Sequence, residues 1–108
     1  MGNDKSLIGN LLKSAEAADE FMWQLPIIDL WREDMKAKCA DLQNIGNNRN
    51  AGSAKCAAFI EYFVGEGIPW AHLDIAGVGD SQSHLPYCPP KGASGLVVRT
   101  LVKYLENL

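Results

Sequence analysis

The sequence has 108 residues, 47% of them hydrophobic and 21% charged, the balance of one folded unit and not of a disordered segment or of two modules joined by a linker. A net charge of −3 with dispersed basic residues forms no stripe for phosphates, so nucleic acid is not expected as a partner. No apolar run approaches a bilayer span, and Met1-Gly2-Asn3-Asp4-Lys5 lacks a basic-then-apolar signal pattern, so a soluble, unexported chain with no membrane partner is expected.

Helical spacing of Leu7, Ile8, Leu11, Leu12, Ala15 and Ala18 predicts an amphipathic surface helix from Ser6 to Ala18, with Asn3, Asp4 or Ser6 available as its cap. Pro26 fixes its own backbone and pushes Leu25 towards extended geometry, which makes Leu25 to Ile28 a short extended link. Asp29 can cap a second helix whose buried edge is Trp31, Met35 and Cys39. Ala40 to Ile45 has no clear type and closes on the turn-rich run Gly46-Asn47-Asn48-Arg49-Asn50. Ala51 to Val64 reads as a helix that is apolar around most of its circumference and so buried on several sides.

Gly65-Glu66-Gly67-Ile68-Pro69 ends that helix. Trp70 to Ala76 follows as the one clear buried strand, with Ala71, Leu73 and Ile75 on one face and His72, Asp74 and Ala76 on the other. Gly77 to Gly95 is a long loop rich in Gly, Pro and Ser, of a kind that is more often functional or interfacial than idle. A last helix, about Ser94 to Leu105, places Val97, Val98, Leu101, Val102 and Leu105 on its inner face. One good strand cannot form a stable sheet, so an α/β layer architecture has to draw its other strands from upstream polypeptide or from a partner chain.

Four blocks carry a more specific signal. They are Ala40-Asp41-Leu42-Gln43-Asn44-Ile45-Gly46 with Arg49 and Ala51-Gly52; Trp70-Ala71-His72-Leu73-Asp74-Ile75-Ala76-Gly77; Lys91-Gly92-Ala93-Ser94-Gly95; and Val98-Arg99-Thr100-Leu101. In this order and at about this spacing, residues 1–108 resemble, from end to end, the C-terminal part of the catalytic domain of the cytosol (leucine) aminopeptidase family. The resemblance implies an α/β fold in which this chain is the C-terminal fragment of a helix-flanked mixed sheet, helix-rich with one clear buried strand. It implies a metallopeptidase of the cytoplasm, a leucyl aminopeptidase that removes N-terminal amino acids from peptides with two divalent metal ions, zinc or manganese. Full-length subunits of this kind form a homo-hexamer.

The resemblance also bears on individual positions. In the family the metal ligands and the catalytic Lys and Arg lie in an Asn-Thr-Asp-Ala-Glu-Gly-Arg stretch and in segments before it, and no such stretch occurs here. No catalytic residue, no metal ligand and no bound metal are therefore expected in this chain, and the fragment alone is expected to be inactive. Substrate contact is what carries over: Ala76 and Gly79 match positions lining the pocket for the N-terminal side chain of the peptide, and Ile45 matches a position near the next subsite. Asn47-Asn48 stand where many members have glycines, which leaves the local turn geometry open. The alternative function is a non-catalytic, aminopeptidase-like binding or assembly module.

Other residues have sharper and plainer readings. His72 and Asp74 share a strand face at a spacing some metallohydrolases use, but a metal site needs three or four ligands and the only other histidine is His84, so a buried His and Asp hydrogen-bonded into neighbouring elements is the better reading. Ala76 on that face is a pocket wall or a small residue demanded by packing; residue type alone does not choose. Cys39, Cys56 and Cys88 are odd in number and widely spaced, as free thiols in a reducing compartment would be, and Cys88 has no basic neighbour in sequence to activate it. Lys91 and Arg99 could hold an anion, with solvated surface cations as the plainer reading. Trp23, Trp31 and Trp70 are expected as core or interface anchors.

Overall fold

Residues 1–108, described here from a computed structural model, contain four helices: α1 (Lys5–Ala17), α2 (Asp29–Asp34), α3 (Gly52–Glu61) and α4 (Val98–Glu106). Two units are distinguished, one of Met1–Ile8 with Trp23–His72, the other of Gly9–Met22 with Leu73–Leu108, and α1 begins in the first and ends in the second.

The Asp4 carboxylate accepts from the Leu7 amide at 2.6 Å, an N-terminal cap for α1, and the apolar period then buries Ile8, Leu11, Ala15 and Ala18. Asp19 ends the helix in the left-handed region, φ 55°, while its own amide returns to Glu16 and the Glu20 amide to Ala15, the paired bonds of a Schellman stop.

In the first unit α2 packs on α3. The join is an arginine fork: Arg32 donates from Nε and Nη2 to the two Glu61 carboxylate oxygens at 2.6 and 3.1 Å, and Tyr62 donates its hydroxyl to the Arg32 carbonyl. Asp29 is the first helical residue and not the cap. Its carboxylate accepts from Arg32 Nη1, and α2 stops after six residues, so Met35 is buried just beyond it while Cys39 is exposed. The chain instead doubles back, with an isolated bridge between Lys36 and Leu42 and the Gln43 amide bound to the Met35 carbonyl.

α3 departs from expectation in a revealing way. Ala54, Lys55, Ala57 and Ala58 are buried, but Ile60, Tyr62 and Phe63 stand exposed on or just beyond the helix, Phe63 at 71%. One short partner helix covers one face only, so the broadly apolar circumference stays open to solvent on the other side.

The clear strand expected at Trp70 to Ala76 is not formed, and no mixed sheet is present. Ala71 makes a single antiparallel bridge to Gly2, with flanking bonds from the His72 amide to Met1 and from the Asn3 amide to Trp70, and Ala76 is already in a turn. The Asn3 side chain completes the join by accepting the Trp70 amide and donating to the Ile68 carbonyl, each at 2.9 Å. A strand needs a ladder, and only residues 1–3 are offered as a partner.

The second unit is built around one carboxylate. Glu20 is 4% exposed, and its Oε2 accepts the Val97 amide at 3.1 Å, the Thr100 amide at 3.0 Å and the Thr100 hydroxyl at 2.7 Å, while Arg99 Nε lies 3.4 Å from Oε1. Val97 precedes α4 in left-handed backbone, φ 78°, a costly state for a β-branched residue. Glu20 is therefore an N-terminal cap supplied from the far end of the unit's sequence. The expected inner face of α4 is turned the other way: Val98, Leu101, Val102 and Leu105 are exposed, and Thr100 is the buried residue of the helix.

Burial works to raise the Glu20 pKa, but the bonds from the Thr100 hydroxyl and amide and from Arg99 outweigh it and hold the carboxyl below its ordinary value. A depressed native pKa contributes stability that is complete above the ordinary carboxylate range and is lost as pH falls through the native value. The protection factor of the Thr100 amide, its exchange rate taken relative to the intrinsic rate at each pH, should fall over that acid window in the native chain, and Glu20→Gln should flatten the dependence. Glu20→Ala, which leaves Val97 and Thr100 without their acceptor, should cost roughly 2–3 kcal/mol by the same exchange measurement.

Candidate functional site

A polar network in the first unit sits under the turn-rich segment 46–50. Lys55 comes from the buried face of α3, and its ammonium ion-pairs with Asp34 at the end of α2. The ammonium also donates to the Asn48 side-chain and main-chain oxygens at 2.8 and 3.2 Å and lies 5.8 Å from the Trp31 ring centroid. Three acceptors match its three donors, which is what a buried lysine requires. The other Asp34 oxygen accepts from the Asn47 side chain at 3.1 Å and from its amide at 3.4 Å. Hydrogen bonding from Lys55 lowers the Asp34 pKa, and the Asn47 bonds add to it. An open cleft of about 380 Å³ lies beside these groups, with Leu30 and Trp31 as its apolar lining and Asp34, Asn47, Asn48 and Asn50 among its polar residues.

Ile45, the residue matched to a second subsite, is at the start of this segment and is 77% exposed. Gly46 follows it at a point of close approach, where an added Cβ would come within 2.5 Å of Asp34 Oδ2, 2.9 Å of Lys55 Cδ and 3.0 Å of Met35 Cε. The paired asparagines, whose turn geometry the sequence left open, are the side chains that reach the Asp34–Lys55 pair.

Ala76 and Gly79 lie together in the second unit, on the turn that follows residues 71–75. The Asp74 side chain accepts the Ala76 amide at 3.0 Å, Ala76 is exposed, and the Gly79 carbonyl accepts the Ser94 amide at 2.8 Å. Buried Ser94 then donates its hydroxyl to the Val78 carbonyl at 2.6 Å, so the long loop is pinned at its base to the turn that carries both residues. The bridge between Asp80 and Ala93 reinforces that closure.

The remaining candidates are separated in role. His72 is half-buried and Asp74 is exposed at the turn, while His84 is exposed in the loop. Cys88 directs its thiol to the Ser94 carbonyl at 3.5 Å. Arg99 does hold an anion, the chain's own Glu20, and its guanidinium stacks 3.9 Å from the Tyr87 ring centroid; Lys91 is exposed. Trp23 is 89% exposed and anchors nothing in this chain, whereas Trp31 and Trp70 are half-buried.

Comparison with known proteins decides the family. The model of the cytosol aminopeptidase family, catalytic domain, matches residues 1–102. This chain belongs to the cytosol aminopeptidase family. A probable cytosol aminopeptidase of Bdellovibrio bacteriovorus is 54% identical over 88% of this chain and 19% of its own length. One from Geobacter sp. strain M21 is 48% identical over 99% of this chain and 21% of its own. The crystal structure of the cytosol aminopeptidase from Coxiella burnetii superposes with a TM-score of 0.85 at 35% identity, over 98% of this chain and 22% of that one. The chain thus spans about a fifth of the length of the family members it matches.

Gly46 provides a test of the network. Gly46→Ala should force the Asp34–Lys55 pair apart and cost about 1–3 kcal/mol, as overpacking of a filled site does. Denaturant unfolding would measure that loss, and an unchanged midpoint would show that the segment is not seated on the pair.

Proposed function

We propose that this chain serves as the C-terminal portion of an aminopeptidase catalytic domain, shaping the substrate pocket of an enzyme that removes N-terminal amino acids from peptides. The observation that carries this reading is the family match along nearly the whole chain at about a fifth of its relatives' length. The exposed apolar faces of α3 and α4 support it, since together they leave more large apolar side chains uncovered than a self-contained unit normally shows.

The pair of divalent metals, zinc or manganese, that such an enzyme uses finds no donor set here. No group of three or more His, Cys, Asp and Glu side chains is arranged to hold a metal ion, and His72, Asp74 and His84 do not make one. The part assigned to this chain is confined to pocket walls. Ala76 and Gly79 border the space for the N-terminal side chain of the substrate, and Ile45 stands near the next subsite. A methyl group at position 76, on a turn held by Asp74 and Ser94, leaves room that a longer side chain would fill. In a cytoplasmic homo-hexamer of complete subunits, the uncovered faces of α3 and α4 would be packed by the rest of the domain.

The isolated chain should not hydrolyse leucine amide with manganese, zinc, cobalt or magnesium added, whereas a chimera in which it replaces the matching segment of the Bdellovibrio relative should do so. Chelator-sensitive turnover by the isolated chain would overturn the proposal. In the chimera, Ala76→Leu should lower kcat/KM for N-terminal Leu and Met substrates at least about tenfold and for Ala or Gly much less, since a methylene in such a pocket is worth about 1–3 kcal/mol. Equal slowing of large and small N-terminal residues would make Ala76 a packing residue.

A further inference from the structure

We infer that Asp34 and Lys55 are positioning residues for the substrate subsite at Ile45, acting through Asn47 and Asn48. The inference rests on the proposed pocket role of Ile45 and extends it to Asp34 and Lys55, which the sequence blocks do not single out, and to Asn47 and Asn48, which stand out there only as a departure from the family pattern.

The segment that begins at Ile45 has almost no apolar hold on the protein. Ile45 itself and residues 47–52 are exposed, and an open cleft flanks the asparagines, so core packing cannot fix where this loop sits. Polar bonds do so instead, most of them converging on half-buried Asp34 and buried Lys55. Asn47 gives both its amide and its side chain to Asp34, Asn48 gives two oxygens to Lys55, and the Asn48 side chain also accepts the Asn50 amide at 2.9 Å. Gly46 lies against the pair so closely that a methyl group would collide with both members.

The pair is itself rigidly held. Lys55 is fixed by its place on the buried face of α3, and the main chain at Asp34 is held by the Gln43 side chain, which donates to the Asp34 carbonyl at 3.0 Å. α2 and α3 are locked to each other by the Arg32–Glu61 fork. The chain after Ile45 is therefore referred to the two joined helices through one ion pair, while Gln43 ties the chain before it to Met35 and Asp34. Placement errors of about 1 Å at a substrate contact can cost on the order of a hundredfold in rate, so the ion pair on the far side of Ile45 completes a reference that Gln43 alone leaves one-sided.

The test uses the active chimera with three substrates: Leu-Leu, Leu-Gly and leucine amide, the last having no second side chain. Ile45→Ala is the reference variant, Lys55→Met removes the pair's cation, and Asn47→Ala with Asn48→Ala removes the two side-chain bonds at exposed positions while leaving the main-chain bonds to Asp34 and Lys55. Ile45→Ala should narrow the kcat/KM ratio of Leu-Leu to Leu-Gly by about threefold or more. The double asparagine variant and Lys55→Met should narrow it similarly while leaving leucine amide within about twofold. If Ile45→Ala leaves the ratio unchanged, the subsite reading of Ile45 fails and the inference falls with it. If Ile45→Ala narrows the ratio and the loop variants do not, or if they slow all three substrates equally, the network is only a structural strut. Should Lys55→Met fail to fold, the asparagine variant decides alone.

Discussion

A carboxylate bonded to the backbone or side chains of distant residues, buried at Glu20 and half-buried at Asp34, is the interaction on which each unit depends. Glu20 collects two amides, a hydroxyl and a guanidinium from 97–100, and Asp34 collects an ammonium and two asparagine donors from 47 and 55. Taking a carboxylate out of water is costly unless its oxygens are fully used, so both groups tolerate only the arrangement that satisfies them. That selectivity compensates for a scarcity of covered apolar surface. The buried hydrophobic residues are mostly alanines with Ile8, Leu11 and Met35, and dispersion among such small side chains defines position poorly. Directional bonds to a charge define it well.

Local geometry follows from this. Val97 in left-handed backbone would be hard to hold by packing, because its own side chain opposes the conformation, yet its amide has Glu20 as acceptor there and α4 can start at the next residue. Gly95, with φ 71° two residues earlier, lets the chain turn into that approach without a Cβ penalty. Ser94, buried between the loop base and Leu96, transmits the same constraint back to Val78 beside Gly79. The capped helix and the turn that carries Ala76 are thus linked inside the second unit by hydrogen bonds, with little contribution from apolar contact.

What the sequence made legible was whatever is local. The 3.6-residue period of Leu7 to Ala18 placed α1 within a residue at each end, and the helix expected from Ala51 to Val64 begins at Gly52 but ends at Glu61, ahead of the Gly65–Pro69 break. The family blocks name Ile45, Ala76 and Gly79 without their local structure: Ala76 is expected on a strand and stands on a turn, and all three are exposed or half-exposed. Glu20 and Asp34 were not legible. Each is an ordinary acidic residue in an ordinary helical neighbourhood, and its importance lies in partners up to 80 positions away. Anion binding by Arg99 is the less favoured of two readings, behind a solvated surface cation, and nothing in composition or spacing names a carboxylate in the same chain as that anion.

The errors of burial share one origin. Periodicity marks which face of a helix is apolar; it does not say which polypeptide covers it. α4 has a regular apolar stripe at Val98, Leu101, Val102 and Leu105 that is exposed here, and the one buried side chain on that helix is a threonine bonded to Glu20. Trp70 to Ala76 behaves likewise: alternation is written into the residues, but a ladder is a property of two segments, and residues 1–3 supply a partner for only its first turn of pleat. An apolar pattern is written into the residues whether or not any of residues 1–108 packs on it. The polar anchors, by contrast, have partners within the chain, and Glu20 and Asp34 set the local shape of the surfaces that carry these stripes.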